Sequence, residues 1–295
     1  MPEDLADKVF LVTGATMGIG KAACREFARR GATLGIVGRS REKTERVRTE
    51  LVADSGNDRI ELFIGDLSQI AEVERIAADF RTRHQRLHVL VNNAGAMFTE
   101  RRESADGFEL TFALNHLAYF VLTQELWGLL ADTPGARVVS TASAAHEAGV
   151  IDLQDIAYAT KSYSGWRAYG ASKLANILFT RELARRAGGR FIANCVHPGW
   201  VATGFALNNR GVMPMLIRLF GSVLARSPAK GAETVVWAAT SPEAARLNGE
   251  YLHDCSVARA SDLARDDALA AGLWELSERL VASAHARAAP APDAR

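Results

Sequence analysis

Tyr169 and Lys173 stand four residues apart inside a helical pattern, so both side chains leave one helix face. A phenol titrates at about 10, which makes it a poor acid or base at neutral pH. A neighbouring ammonium favours the phenolate and lowers that value. A tyrosine tuned in this way can protonate a forming alkoxide, or take the proton back during alcohol oxidation. Tyr-x-x-x-Lys spacing also arises in helices that do no chemistry, so partners must decide. Ser143 follows the fifth predicted strand, where its hydroxyl could hold a substrate oxygen beside Tyr169. Ser140 competes for that role, and either hydroxyl could cap a turn instead. Asn115 lies inside a long helical pattern although asparagine is a mediocre helix former, so it either bonds locally or serves something buried. Lys161 and Tyr163 read as loop residues near a substrate.

A second group of residues could hold a dinucleotide. The first strand runs into Thr13-Gly14-Ala15-Thr16-Met17-Gly18-Ile19-Gly20. Glycines at a strand-to-helix turn let backbone approach a pyrophosphate, and the helix N-terminus beyond offers unpaired N–H groups. The spacing is Gly-x-x-x-Gly-x-Gly, which separates this loop from the Gly-x-Gly-x-x-Gly fingerprint. The second strand ends at Gly38-Arg39-Ser40-Arg41. An acidic residue there would hold ribose hydroxyls, whereas the Arg39 guanidinium suits a 2′-phosphate, so NADP(H) is expected over NAD(H). Asp66, with Leu67 after it, follows the third strand and could bond adenine or cap the next helix. Asn92-Asn93-Ala94-Gly95 follows the fourth strand, with Asn93, Ala94 and Gly95 as candidate contacts. His197-Pro198-Gly199 follows the sixth, and Pro198, Gly199, Val201 and Thr203 are candidates at the nicotinamide end. His197 itself reads as a strand-end residue with a satisfied hydrogen bond, ahead of a supporting role behind the site.

These residues need a frame that brings the strand ends together. Apolar runs predict strands at 8–12, 33–37, 59–64, 88–91, 136–141 and 190–196, with a short last one at 249–253. Helical patterns lie between them at 18–30, 41–55, 69–85, 107–130 and 166–187, then at 228–240 with Pro228 at its first position, and at 266–284. The alternation predicts an α/β fold: one doubly wound domain with a parallel sheet and helices on both faces. Its ligands belong at the carboxyl ends of the strands. The domain is expected over 1–285, with 286–295 a frayed Ala/Pro-rich tail. The apolar segment 200–225 could be a lid or a packed helix pair.

Composition closes off other classes. A formal net charge of +1 gives no basic field for nucleic acid. Cys24, Cys195 and Cys255 form no pair spacing, and His84, His88, His116, His146, His253 and His285 form no ligand spacing, so no metal is proposed. No stretch reaches the roughly 18 apolar residues of a membrane span, and no secretory signal opens the chain, so a cytoplasmic protein is expected.

Taken together, Thr13 to Gly20, Asn92 to Gly95, Asn115, Ser143, Tyr169 with Lys173, and Pro198-Gly199 to Thr203 resemble the classical short-chain dehydrogenase/reductase family, over about residues 8–255. A finer resemblance is to its retinol dehydrogenase-like and protochlorophyllide reductase-like members. It rests on Asn115-His116-Leu117, RVVSTASAAH from Arg137, YGASKLANILF from Tyr169, and the tail residues Gly249 to Leu252 and Leu273 to Ser277. Two positions depart from the pattern: Ser140 where asparagine is common, and Ala142 where a first serine is common. The resemblance implies a single Rossmann-type domain with a seven-stranded parallel sheet. It implies Tyr169 as acid/base, Lys173 on the nicotinamide ribose, Ser143 rather than Ser140 on the substrate carbonyl, and Asn115 holding a water in a relay toward Lys173. A homodimer or homotetramer is implied as well.

The expected reaction is NADP(H)-dependent interconversion of a carbonyl and an alcohol on an apolar or mixed small molecule. Reduction of a C=C bond by the same proton donor is the alternative. A non-catalytic dinucleotide-binding protein is disfavoured because both Tyr169 and Lys173 are present.

Overall fold

The computed structural model describes residues 4–199 and 226–288. Val201, Thr203 and the apolar segment 200–225 lie outside them, as does the end of the tail from 289.

Strands β1 (Val9–Thr13), β2 (Thr33–Gly38), β3 (Ile60–Ile64), β4 (Val89–Asn92), β5 (Arg137–Thr141), β6 (Ile192–His197) and β7 (Tyr251–His253) form a parallel sheet in the order 3-2-1-4-5-6-7. An eighth, β8 (Ser256–Val257), joins β7 antiparallel. It was not predicted. Its turn is built on Asp254 and Cys255, both with φ near the left-handed value (46° and 55°), a job usually signalled by Asn-Gly or Gly-Gly.

The strands are apolar on both faces because both faces are covered. Within β1, Phe10 and Val12 pack toward one layer and Leu11 toward the other, as the period of two demands. The first layer holds α1 (Gly18–Arg29), α2 (Arg41–Ser55) and α8 (Pro228–Thr240). The second holds α3 (Ile70–Arg83), α5 (Ala118–Glu125), α7 (Gly165–Ala187) and α9 (Asp267–Ala288). Local signals set several boundaries. Ser40 caps α2, which ends at Gly56 with φ 69°. Ser227 caps α8 just before Pro228. Cys24 and Cys195 are buried in the two layers.

The long helix expected over 107–130 is broken. Glu109 caps a short α4 (Leu110–Phe112) by accepting the N–H groups of Thr111 and Phe112 at 2.9 and 2.7 Å. The backbone then widens into a π-helical turn (Ala113–Leu117) containing Asn115, continues as α5, and breaks again at Leu126 before α6 (Trp127–Asp132). The last helix runs to Ala288, beyond both its expected end and the expected start of the tail. Among the described residues no helix is long and apolar enough to cross a membrane.

Candidate active site

The sheet order makes β1 a switch point: the chain leaves it outward to β2 and β3 and returns to its other side at β4. In open sheets of this kind ligands bind in a crevice at the carboxyl ends of the strands beside such a point. The loop from β1 to α1 contains Gly14 (φ 66°) and Gly18 (φ 56°), conformations that L side chains rarely adopt. A Cβ on Gly14 would lie 2.7 Å from the Ala94 Cα, and one on Gly20 only 2.4 Å from the Gly14 carbonyl oxygen. Met17, the residue before α1, supplies no side-chain cap, so that helix N-terminus presents backbone N–H groups to the loop. Such a cradle fits a dinucleotide pyrophosphate. Thr16 lies against Gly38, where its methyl would meet an added Cβ at 2.7 Å, and Ile19 packs partly into the first layer.

Thr13 ties this loop to β4. Its hydroxyl donates to the Val91 carbonyl (3.3 Å) and accepts the N–H groups of Asn93 and Ala94 (2.9 and 3.0 Å). The Asn93 amide returns bonds to the carbonyls of Thr13 and Gly14 (3.0 and 3.3 Å). Asn93 is therefore a strut for the cradle whatever else it touches.

At the β2 edge, Arg39 is largely exposed and its guanidinium lies 3.9 Å from Asp66, a distance at which an exposed pair adds little. Asp66 does not cap α3. It accepts the Ser68 N–H and hydroxyl at 3.0 and 2.8 Å, while the first α3 amide, Ile70, is taken by Asp106 from far along the chain. Leu67 is buried.

The other end of the crevice gathers the chemical residues. Helix α7 is buried along most of its length, and Tyr169 and Lys173 lie within it at 8% and 3% exposure. The Lys173 ammonium sits 5.6 Å from the Tyr169 ring centroid and donates to the Thr141 carbonyl at 2.9 Å. Burial pushes the Tyr169 phenol well above its ordinary value, opposed by a hydrogen bond with Ser143. Burial lowers Lys173 to about 8. Desolvation favours the neutral form of both groups.

Ser143 and not Ser140 reaches Tyr169. Ser140 lies within β5, fully buried, and its hydroxyl has no partner among the described residues. Ser143 begins the turn after β5, where its Oγ accepts the Ala145 N–H at 3.2 Å.

Asn115 is buried and fully used. Its amide donates to the Ala96 carbonyl and the Ser172 hydroxyl, and its Oδ1 accepts the Ala96 N–H, each at 2.9 Å. A side chain so committed has no donor left for a water, so any relay through this position would run through backbone freed by the π-helical turn. Gly95 fits between Asn115 and Lys173: an added Cβ would lie 3.1 Å from Asn115 Oδ1 and 3.5 Å from Lys173 Nζ.

Pro198 and Gly199 (φ 80°) follow β6, and the Arg226 side chain lies over the turn, 2.9 Å from the position a Gly199 Cβ would take. Lys161 is removed from this group, paired with Asp152 on the surface. Tyr163 bonds the Phe98 carbonyl and Glu109 at 3.1 and 3.0 Å, bracing the loop rather than facing Tyr169.

Sequence reasoning gave no site role to Thr13, Ser172, Asn176 or Tyr119. Asn176, which donates to the same Thr141 carbonyl as Lys173 (3.2 Å), was accessible from its spacing of three and seven from Lys173 and Tyr169. Tyr119, which donates to the Ala94 carbonyl at 2.9 Å, had no such signal.

Comparison with known proteins places these features in context. The family model described as short chain dehydrogenase matches residues 8–211. Retinol dehydrogenase 12 of Mus musculus is 40% identical over 275 residues, covering 93% of this chain and 86% of the relative. A crystal structure of an uncharacterised protein from Mycobacterium paratuberculosis superposes with a TM-score of 0.78 at 31% identity, over 95% of this chain and 96% of that one. A protein from Shigella flexneri 2a strain 301, assigned as a short chain dehydrogenase and complexed with NADP, superposes with a TM-score of 0.67 at 25% identity, over 86% and 99%.

Proposed function

Since the chain belongs to the short-chain dehydrogenase family, and is thereby an oxidoreductase that interconverts carbonyls and alcohols with a nicotinamide dinucleotide, we propose that it uses NADP(H), with Tyr169 as acid/base, on an apolar or mixed substrate. The observation that carries this reading is the burial of Tyr169 beside the Lys173 ammonium on one helix, with the Ser143 side chain placed where it opposes the effect of burial on the phenol.

When bound, NADPH supplies the hydride. The residues of this chain do the rest. Ser143 Oγ, already taking an N–H from Ala145, would turn its own proton from the phenol to the substrate oxygen when substrate binds. Tyr169 Oη holds the proton that the forming alkoxide takes. Its burial keeps it protonated at neutral pH, the form that reduction needs. Lys173, anchored on Thr141, is positioned to bond ribose hydroxyls and to favour the phenolate left behind. The cradle at Gly14, Thr16, Met17, Gly18, Ile19 and Gly20 would hold the pyrophosphate. Ala94, Gly95, Pro198 and Gly199 would line the path toward the nicotinamide.

NADP(H) is favoured by Arg39, which is exposed, only loosely paired, and next to the α2 N-terminus; both features suit a 2′-phosphate. The NADP complex of the Shigella protein agrees with this choice. An apolar substrate is favoured by Trp166, about half exposed one turn before Tyr169 with ring centroids 6.2 Å apart, and by exposed Val150 beyond Ser143. The retinol named for the mouse relative is of the same apolar class.

The test is a panel of benzaldehyde, decanal, all-trans-retinal and an enone, assayed with NADPH and NADH. Tyr169→Phe should lower turnover by at least about 100-fold, the lower range of general acid–base contributions, while NADPH affinity stays within about 3-fold. Unchanged turnover removes Tyr169 from the chemistry. Saturated ketone in place of allylic alcohol from the enone would assign C=C reduction instead.

A further inference from the structure

His146 lies three residues after Ser143 and takes no part in the mechanism above. Its ring is buried, at 1% exposure, and both of its nitrogens are engaged. Nε2 is 3.2 Å from the backbone N of Ser261, and Nδ1 is 2.8 Å from the Ser143 carbonyl oxygen. An amide N–H only donates, so Nε2 must offer its lone pair. A carbonyl only accepts, so Nδ1 must carry the proton. One form of the imidazole satisfies both: the neutral Nδ1–H tautomer. The Tyr251 ring packs edge-on at 5.0 Å between centroids, limiting rotation of the ring.

The two partners come from distant parts of the chain. Ser143 opens the turn after β5, and its carbonyl also takes the His146 backbone N–H at 3.1 Å. Ser261 lies beyond β8, beside a short turn (Leu263–Arg265) whose Ala264 is fully buried in the layer containing α7. The imidazole therefore clips the turn bearing Ser143 to the C-terminal part of the fold.

Resting on the reading of Ser143 and Tyr169 given above, we infer that His146 is a positioning residue: held as its Nδ1–H tautomer by Ser261, it fixes the Ser143 backbone so that Oγ stays against Tyr169. The effect on chemistry runs through Ser143 and nothing else. Small displacements of a catalytic group are costly, since a shift of about 1 Å can lower a rate roughly 100-fold.

Two substitutions divide the two bonds. In His146→Asn the amide nitrogen falls where Nδ1 was, keeping a donor for Ser143. In His146→Gln the longer side chain keeps an acceptor for Ser261 but has no donor at that position. With benzaldehyde and NADPH, His146→Gln should lower kcat by about 30-fold or more, and His146→Asn by less than about 5-fold, with KM for NADPH nearly unchanged in both. With benzyl alcohol and NADP+, the pH profile of His146→Gln should shift upward, because a displaced Ser143 hydroxyl no longer lowers the phenol. In a Ser143→Ala background, His146→Gln should add almost nothing. The 15N shifts of His146 in the unmodified protein should report the neutral Nδ1–H form.

Equal kcat values for the two variants, an additive loss in the Ser143→Ala background, or an Nε2–H or cationic ring would overturn the inference. Full activity of Ser143→Ala would instead sink the reading of the site, leaving the ring tautomer to judge the clip by itself. If neither variant folds, the 15N signature decides.

Discussion

Lys173 illustrates how a residue proposed for catalysis can be costly to the fold. Its ammonium is 3% exposed and, among the described residues, has one neutral carbonyl, that of Thr141, as its hydrogen-bond acceptor. Burial lowers it to about 8, below the ordinary 10.5, so the unfolded chain binds this proton more tightly than the folded one. The resulting destabilisation is full below about pH 8 and fades as pH rises toward the unfolded value. A shift of this size corresponds to about 3 kcal/mol. Lys173→Met should therefore abolish most turnover yet raise the thermal midpoint by a few degrees at pH 7, with a smaller gain at pH 10. A clear fall in the midpoint at pH 7 would show that the bond to Thr141 outweighs the desolvation. Arg39 makes the opposite kind of residue-scale prediction. It is exposed and contributes little to stability, so Arg39→Asp should leave the midpoint alone. Its NADPH affinity should fall at least about 10-fold relative to NADH, through loss of one charge-assisted contact and addition of a repulsive one. Equal ratios before and after would remove Arg39 from the phosphate site.

Among the elements, the β1–α1 turn and the π-helical turn do the positioning. The first depends on close approach of backbone. Gly20→Ala would drive a methyl to 2.4 Å from the Gly14 carbonyl oxygen and 2.5 Å from Asn93 Nδ2. Asn93 could give way, but the Gly14 backbone belongs to the cradle itself. Overpacking of this kind costs about 1–3 kcal/mol. The expected outcome is a lowered urea midpoint together with weaker NADPH binding by fluorescence titration. Gly128→Ala in α6 is the control, since nothing lies within 4 Å of its added Cβ; it should leave both readings unchanged. Binding that survives Gly20→Ala at full strength would mean the loop tolerates displacement and is not the cradle. The π-helical turn was not legible in the sequence. Asn115 looked like a weak helix former in a long helix, and the break it occupies is stabilised by Ala96 and Ser172, contacts that only folding supplies.

At the scale of the whole molecule, α9 closes the second layer. Trp274 is nearly buried, stacks on Phe179 with centroids 5.9 Å apart, meets Phe120 edge-on at 5.0 Å, and is covered by the Arg186 guanidinium at 4.6 Å. Phe179 belongs to α7, the helix that bears Tyr169 and Lys173. His116 in the π-helical turn is tied to α9 through Ser277, at 2.9 Å. Trp274→Ala should cost about 3–5 kcal/mol, read from the urea midpoint, as large-to-small changes at buried aromatics do. A loss under about 1 kcal/mol would make α9 a peripheral addition rather than part of the core.

The sequence by itself determined the elements and the faces of each. Runs such as VFLVT and TLGIVG could only be strands buried on both sides, and the four-residue step from Tyr169 to Lys173 put both on one face of one helix. Glycines at the first strand end and an arginine at the second marked where a dinucleotide would lie. These are local properties, carried by neighbours along the chain. What only the tertiary structure decided is which distant groups meet. It brought Ser143 rather than Ser140 to Tyr169, because Ser140 is still inside β5 and points into the buried core. It took the capping of α3 from Asp66 and gave it to Asp106, and paired β7 with a strand whose turn has no glycine to announce it. It also buried Tyr169 and Lys173 side by side. Spacing predicts proximity to an ammonium, but the degree of burial, which no local pattern reports, pushes the phenol up and the ammonium down.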